Sequence, residues 1–168
     1  KQGRLRNSLG ELVSSEERAE TLAQYLEHVQ WAVKPVTATE RQTPLGPILP
    51  VDMGRVSKAE VISASKKLKW NRACGQDDIP AEFWKAVIQT GTPACRWAVE
   101  FCDKCWSEHA VPEDWHRARV ALIFKKGDPS KCENYRPISL LSIGYKLFAI
   151  FLLQRLKGAG AEARIWPT

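Results

Sequence analysis

Ten prolines punctuate this chain, and their positions constrain its fold more than any other feature. Proline holds φ near about −65° and offers no backbone N–H, so it suits the first turn of a helix, a loop or a strand edge and breaks a helix interior. Pro35, Pro44, Pro47 and Pro50 crowd into one stretch, 34–51, with Thr37, Thr39 and Thr43. That stretch reads as a linker without regular helix. Pro80, Pro93, Pro112, Pro129, Pro137 and Pro167 stand singly.

Between these marks most of the chain has helical period. Ser14 and Glu17 form a capping-box pair ahead of Ala19, Leu22, Ala23, Leu26, Val29 and Val33, which predicts a helix over about 15–33. A second box, Ser57 with Glu60, opens a helix running to about Trp70. Val61, Ile62, Ser65 and Leu68 share one of its faces, and Lys58, Lys66, Lys67 and Lys69 load the remainder. Pro80 starts a helix carrying Phe83, Trp84, Val87 and Ile88, closed by Gly91. Pro93 starts another, with Cys95, Ala98, Val99, Cys102 and Trp106 on one side, ending at Val111-Pro112.

After Trp115 the period changes. Residues 117–124 are rich in β-branched and aromatic side chains, which predicts a strand buried on at least one face. Arg136 precedes Pro137 and is biased to extended geometry, so residues 135–141 supply a second strand pairing with the first across the loop that begins at Lys125. Ser142 is then placed to cap a helix from Ile143 to about Lys157, apolar nearly all round and ended by Gly158. Such a helix needs cover from other protein. The expected fold is α+β, predominantly helical, with a small antiparallel β-hairpin. Its expected organisation is a connector over 1–50 and a compact domain over 51–168.

Charge narrows the partners. The net charge is +6, and residues 111–168 hold ten basic against five acidic groups. A polyanion suits that end, although an excess of this size also serves solubility alone. Five cysteines, an odd count, argue for a reducing compartment, nucleus or cytoplasm. The longest apolar run, Leu147 to Leu153, is far short of the roughly 20 residues that span a bilayer. No signal-peptide core follows Lys1, and the chain reads as a segment of something longer. Cys102-x-x-Cys105 with His109 and Cys132 has a spacing zinc can use, but cysteine on an apolar helical face also serves as a small hydrophobe. Trp84, Trp97, Trp106 and Trp115 fall among apolar helical positions and are expected in the core.

Three groups of residues carry a family resemblance. The first is Phe124-Lys125-Lys126-Gly127-Asp128-Pro129 with Asn134-Tyr135-Arg136-Pro137-Ile138-Ser139-Leu140-Leu141 and Tyr145-Lys146-Leu147. The second is Ala73-Cys74-Gly75-Gln76-Asp77-Asp78-Ile79-Pro80 with Phe83-Trp84, and the third Val111-Pro112-Glu113-Asp114-Trp115. In order and spacing, 57–168 resembles the fingers region of reverse transcriptases from non-LTR (LINE-type) retrotransposons. Residues 1–50 resemble the connector that follows the endonuclease in such polyproteins. Cys74 and Gln76 stand where that family often has prolines, and Phe124 where proline usually precedes the lysine.

The resemblance implies an RNA-directed DNA polymerase acting on an RNA template, a DNA primer and deoxynucleoside triphosphates, with Mg²⁺ held by carboxylates of later palm motifs. This segment by itself is therefore expected to bind no metal and to polymerise nothing, and to need the palm and thumb of the same polyprotein. It assigns Lys125, Lys126 and Arg136 to the nucleotide phosphates, lysine as a point charge and arginine as a bidentate fork. Lys66, Lys67, Lys69 and Arg72 are the candidates for the template backbone. Asp77-Asp78, ahead of a helix N-terminus, reads as a complement to the helix dipole. The alternatives are a non-catalytic nucleic-acid-binding module, a zinc-stabilised interaction domain and a decayed retrotransposon reading frame.

Overall fold

A computed structural model of the chain describes residues 5–33, 48–89 and 91–165. Most of the predicted linker, 34–47, lies outside the described residues, as do Trp166-Pro167-Thr168. The fold is α+β, in the order α1 (Arg18–Tyr25), α2 (Lys58–Lys67), α3 (Ala81–Gln89), α4 (Pro93–Ser107), β1 (Arg119–Phe124), β2 (Tyr135–Leu140), α5 (Ile143–Gly158) and α6 (Ala161–Ile165). Two compact units divide it: Lys1–Leu45 with Val120–Ile138, and Gly46–Arg119 with Ser139–Thr168. No helix among the described residues is long and apolar enough to cross a membrane.

The second unit is a helical cluster. Ser57 and Glu60 make the reciprocal capping box that the sequence predicts, and α2 then buries Val61, Ala64, Ser65 and Leu68. Against them lie Trp84 and Ile88 of α3, Cys95, Ala98 and Cys102 of α4, and Ile143, Leu147, Phe148 and Phe151 of α5. Pro93 occupies the first turn of α4 behind the N-cap Thr92, where a missing N–H costs nothing. Gly144 lets α5 approach two indoles, since a Cβ there would lie 3.0 Å from Trp84 and 3.1 Å from Trp115.

Several expectations need correction here. Trp97 is 54% exposed, its ring stacked against Trp84 and Phe101, because α4 turns its Cys95–Ala98–Cys102 stripe inward instead. Helix α2 ends at Lys67, three residues before Trp70, where Leu68 becomes extended (ψ 134°). The apolar helix α5 is covered on one side only, leaving Leu153 50% and Leu156 43% exposed. Ser142 does stand at its N-cap but makes no capping bond; its hydroxyl donates to Asp77 Oδ2 at 2.7 Å. The short helix α6, after Gly160 at φ +82°, carries no signal that the sequence reading used.

The first unit holds the N-terminal segment and the hairpin. Ser14 and Glu17 exchange their capping bonds, but the α-helix they open ends at Tyr25 and continues as a π-helical turn, Leu26–Gln30. The predicted stripe therefore runs out of register: Leu22 and Leu26 are buried, whereas Val29 and Val33 are 60% and 93% exposed. The two strands form a two-stranded sheet. Neither β1 nor β2 contains a buried side chain, which corrects the expectation of a strand buried on one face, since a two-stranded ribbon has no second layer of its own.

Candidate functional site

The hairpin loop, 125–134, is built by its own polar residues. Gly127 has φ +93°, a conformation glycine adopts without strain, and a Cβ there would come within 2.9 Å of the Asn134 amide. Asn134 Nδ2 donates to Asp128 O at 2.9 Å, and the Asp128 carboxylate accepts from Ser130 N at 2.8 Å. The Ser130 backbone N–H first, and then the Ser130 side chain, hold the Asp128 carboxyl below its ordinary range. The Tyr135 hydroxyl donates to Pro129 O at 2.8 Å. At the neck, Lys125 N donates to Asn134 O at 2.8 Å.

That pairing sets the register. Lys125 opposite Asn134 puts Phe124 opposite Tyr135, and their rings meet at 5.5 Å. Alternation of side chains then places Lys125 and Arg136 on the same face as diagonal cross-strand neighbours, with Ile123 and Ile138 beside them. Lys125, Lys126 and Arg136 are all exposed. Among the described residues none of the three forms an ion pair, while the nearby Lys131 is engaged with Glu133 at 3.8 Å. The structure thus gathers two of the three predicted cations on one open face next to an aliphatic strip, with Lys126 one residue further into the loop.

Lys66 and Lys67 occupy the last turn of α2, and Lys69 and Arg72 follow it. All four are exposed and, among the described residues, outside any ion pair. Beside them Lys85, buried on α3, donates its ammonium to Lys66 O at 3.4 Å and lies 5.1 Å from the Trp70 ring centre. A cation on the last carbonyls of a helix satisfies groups that have no partner within it.

Asp77 and Asp78 are both committed elsewhere. Asp77 receives the Ser142 hydroxyl and, at 3.4 Å, the Ile79 N–H. Asp78, at φ +52°, pairs with Arg119 at 3.1 Å. Gly75 lies so close to the backbone of Leu141 and Ser142 that a Cβ would come within 2.5 Å of Ser142 N. The loop 74–78 is a fastening for the residues that enter β1 and leave β2. Among the described residues no three His, Cys, Asp or Glu side chains come together as a metal site. Cys95, Cys102 and Cys105 are buried in the helical core, and burial pushes the Cys102 thiol up to about 12, as expected of a thiol packed among apolar groups.

Two well-anchored features escaped the sequence reading. Arg155 interrupts the apolar run of α5 and is buried; a charge inside such a run was the available signal. Arg18 donates to the Tyr135 hydroxyl at 2.7 Å, and nothing local to either residue announces that pairing.

No family model matches the chain. Among individual proteins it is 32% identical over 167 residues, covering 94% of this chain, to a protein of Drosophila melanogaster named "Probable RNA-directed DNA polymerase from transposon BS". It is 29% identical over 132 residues, 79% of this chain, to a Xenopus laevis protein named "Transposon TX1 uncharacterized 149 kDa protein". The chain spans 18% of the first and 9% of the second.

Proposed function

The chain is related to the RNA-directed DNA polymerases of transposons, and on that premise we propose that its hairpin is the part of a non-LTR retrotransposon enzyme that grips the triphosphate of the incoming deoxynucleotide. What supports the reading is the strand register, which makes Lys125 and Arg136 diagonal neighbours on one face of a hairpin whose loop is braced by hydrogen bonds of Asp128 and Asn134. Both cations are exposed and, among the described residues, neither forms an ion pair.

Chain extension joins a primer 3′-hydroxyl to the α-phosphate and expels pyrophosphate. A guanidinium fork and an ammonium can orient the β- and γ-phosphates and neutralise the charge that gathers on the leaving group. The Mg²⁺ of such a reaction supplies further charge neutralisation at the reacting oxygens. Among the described residues Asp77 and Asp78 do not fit it, being taken by Ser142 and Arg119. The resemblance assigns the carboxylates that hold Mg²⁺ to palm motifs, and the part proposed for the hairpin is to hold the nucleotide. The exposed cations at the end of α2, Lys66, Lys67, Lys69 and Arg72, are the second part of the reading, contacting template phosphates.

An amine-reactive group carried on the γ-phosphate of a deoxynucleoside triphosphate tests the assignment. Labelling concentrated on Lys125 and Lys126, and suppressed by unmodified triphosphate, is expected. Labelling spread evenly over these and Lys58, Lys66 and Lys67 would contradict it.

A further inference from the structure

A two-stranded hairpin is at best marginally stable in water, so a loop that presents two cations in a fixed geometry needs support. Within the first unit that support comes from the N-terminal segment. Arg6 N donates to Ser130 O at 2.8 Å, and the Cys132 thiol donates to Arg6 O at 3.8 Å. Leu5 is 1% exposed, and Leu22 and Leu26 of the following helix and π turn are also buried.

The tightest link is Arg18 on Tyr135. The guanidinium donates to the phenol oxygen at 2.7 Å and stands 5.3 Å from the ring centre. The same hydroxyl donates onward to Pro129 O in the loop. A charged donor on the phenol oxygen polarises the O–H and strengthens the bond it makes next. Tyr135 directly precedes Arg136, and its ring packs on Phe124, which directly precedes Lys125. One tyrosine therefore touches the chain beside both cations and the loop between them.

We propose that Arg18 is a positioning residue of the triphosphate grip: through Tyr135 it fixes the loop that presents Lys125 and Arg136. The N-terminal segment would then be a working part of the hairpin unit instead of a passive connector. This rests on the reading of the hairpin as the grip.

Amide hydrogen exchange of loop residues 125–134 in the chain, together with nucleotide kinetics of a complete polymerase carrying it, tests the idea. Arg18→Ala, and Tyr135→Phe, which keeps the ring and removes the bridging hydroxyl, should each speed loop exchange about tenfold, the weight of one charged hydrogen bond. Both should raise the nucleotide KM several-fold with template affinity unchanged, and Arg18→Lys should restore part of the loss. Loop exchange unaltered in both variants overturns the proposal. So does faster exchange with an unmoved KM, provided Arg136→Ala raises KM in the same enzyme. If Arg136→Ala leaves KM unmoved, the grip itself is refuted, and Arg18's role falls with it.

Discussion

Both carboxylate oxygens of Glu60 face the guanidinium of Arg155, Oε1 to Nε at 2.7 Å and Oε2 to Nη2 at 3.1 Å. The same Glu60 accepts the Ser57 N–H at 2.8 Å, so a residue that caps α2 also anchors α5. Arg155 spends its remaining donors on the carbonyls of Asp52, Gly54 and Arg55, and its plane lies 4.8 Å from the Trp106 ring and 4.7 Å from that of Phe151. Arg55 in turn pairs with Asp103 at 2.8 Å, whose other oxygen accepts Val56 N–H. Segment 52–56, which leads into α2, is thereby fixed to the helical core.

Removing Arg155 leaves a carboxylate and three carbonyls without their donor. Arg155→Met should cost about 3 kcal/mol, the lower end for breaking a buried pair, because Glu60 keeps some contact with water. Urea unfolding followed by far-ultraviolet circular dichroism measures this, and a loss below about 1 kcal/mol would show that the network carries little stability.

The pH dependence follows from Glu60. Its fork with Arg155 lowers the carboxyl from 4.5 to about 2. As pH falls below 4.5 the unfolded chain takes up a proton that the folded chain refuses, so the contribution is complete above that pH and is lost as pH falls toward 2. A shift of that size corresponds to about 3 kcal/mol. Unfolding free energies measured from pH 5 to pH 2.5 should fall, and Glu60→Gln should flatten the slope.

Two glycines should respond oppositely to alanine. At Gly75 the new Cβ meets backbone at 2.5 Å, which cannot yield without moving the 141–142 link, so Gly75→Ala should cost about 1–3 kcal/mol. At Gly158, the last residue of α5, a Cβ meets nothing within 4 Å; Gly158→Ala should be neutral or stabilise by up to about 1 kcal/mol. Thermal unfolding of both variants distinguishes them.

The buried cysteines should behave as core. Iodoacetamide at neutral pH should leave Cys102 unmodified in the folded protein and label it in urea, since burial raises its pKa to about 12 and the thiolate is the reacting form. Helicity should be unchanged by a chelator. Labelling of native Cys102 would show that it is not packed in the core, and unfolding by chelator would restore the zinc reading.

How much of this was legible depended on whether the deciding interaction was local. The box at Ser57 and Glu60, the proline that starts α4 and the glycine at φ +93° act within a few residues, and the sequence displays them directly. The change of period at 117–124 likewise revealed the hairpin. The stripe ending in Val29 and Val33 misled because a π turn rotates those residues away from the face of Leu22 and Leu26. Ser142 misled because a carboxylate 65 positions earlier outcompetes the helix for its hydroxyl. Lys125, Lys126 and Arg136 were named from a motif, whereas Arg18, 117 positions from Tyr135, has no periodic or local mark.

If Arg136 and Lys125 hold nucleotide phosphates, steady-state incorporation by a polymerase carrying this segment must respond to their loss. Losing one charged, forked contact should cost about 1.5–3 kcal/mol, so Arg136→Ala should lower kcat/KM for the nucleotide about tenfold to a hundredfold or more, with RNA affinity nearly unchanged. Lys66→Ala with Lys67→Ala should do the converse, weakening RNA binding and flattening its salt dependence. Nucleotide kinetics unaltered in a folded Arg136→Ala enzyme would contradict the account and leave the hairpin's cations as a solvated rim.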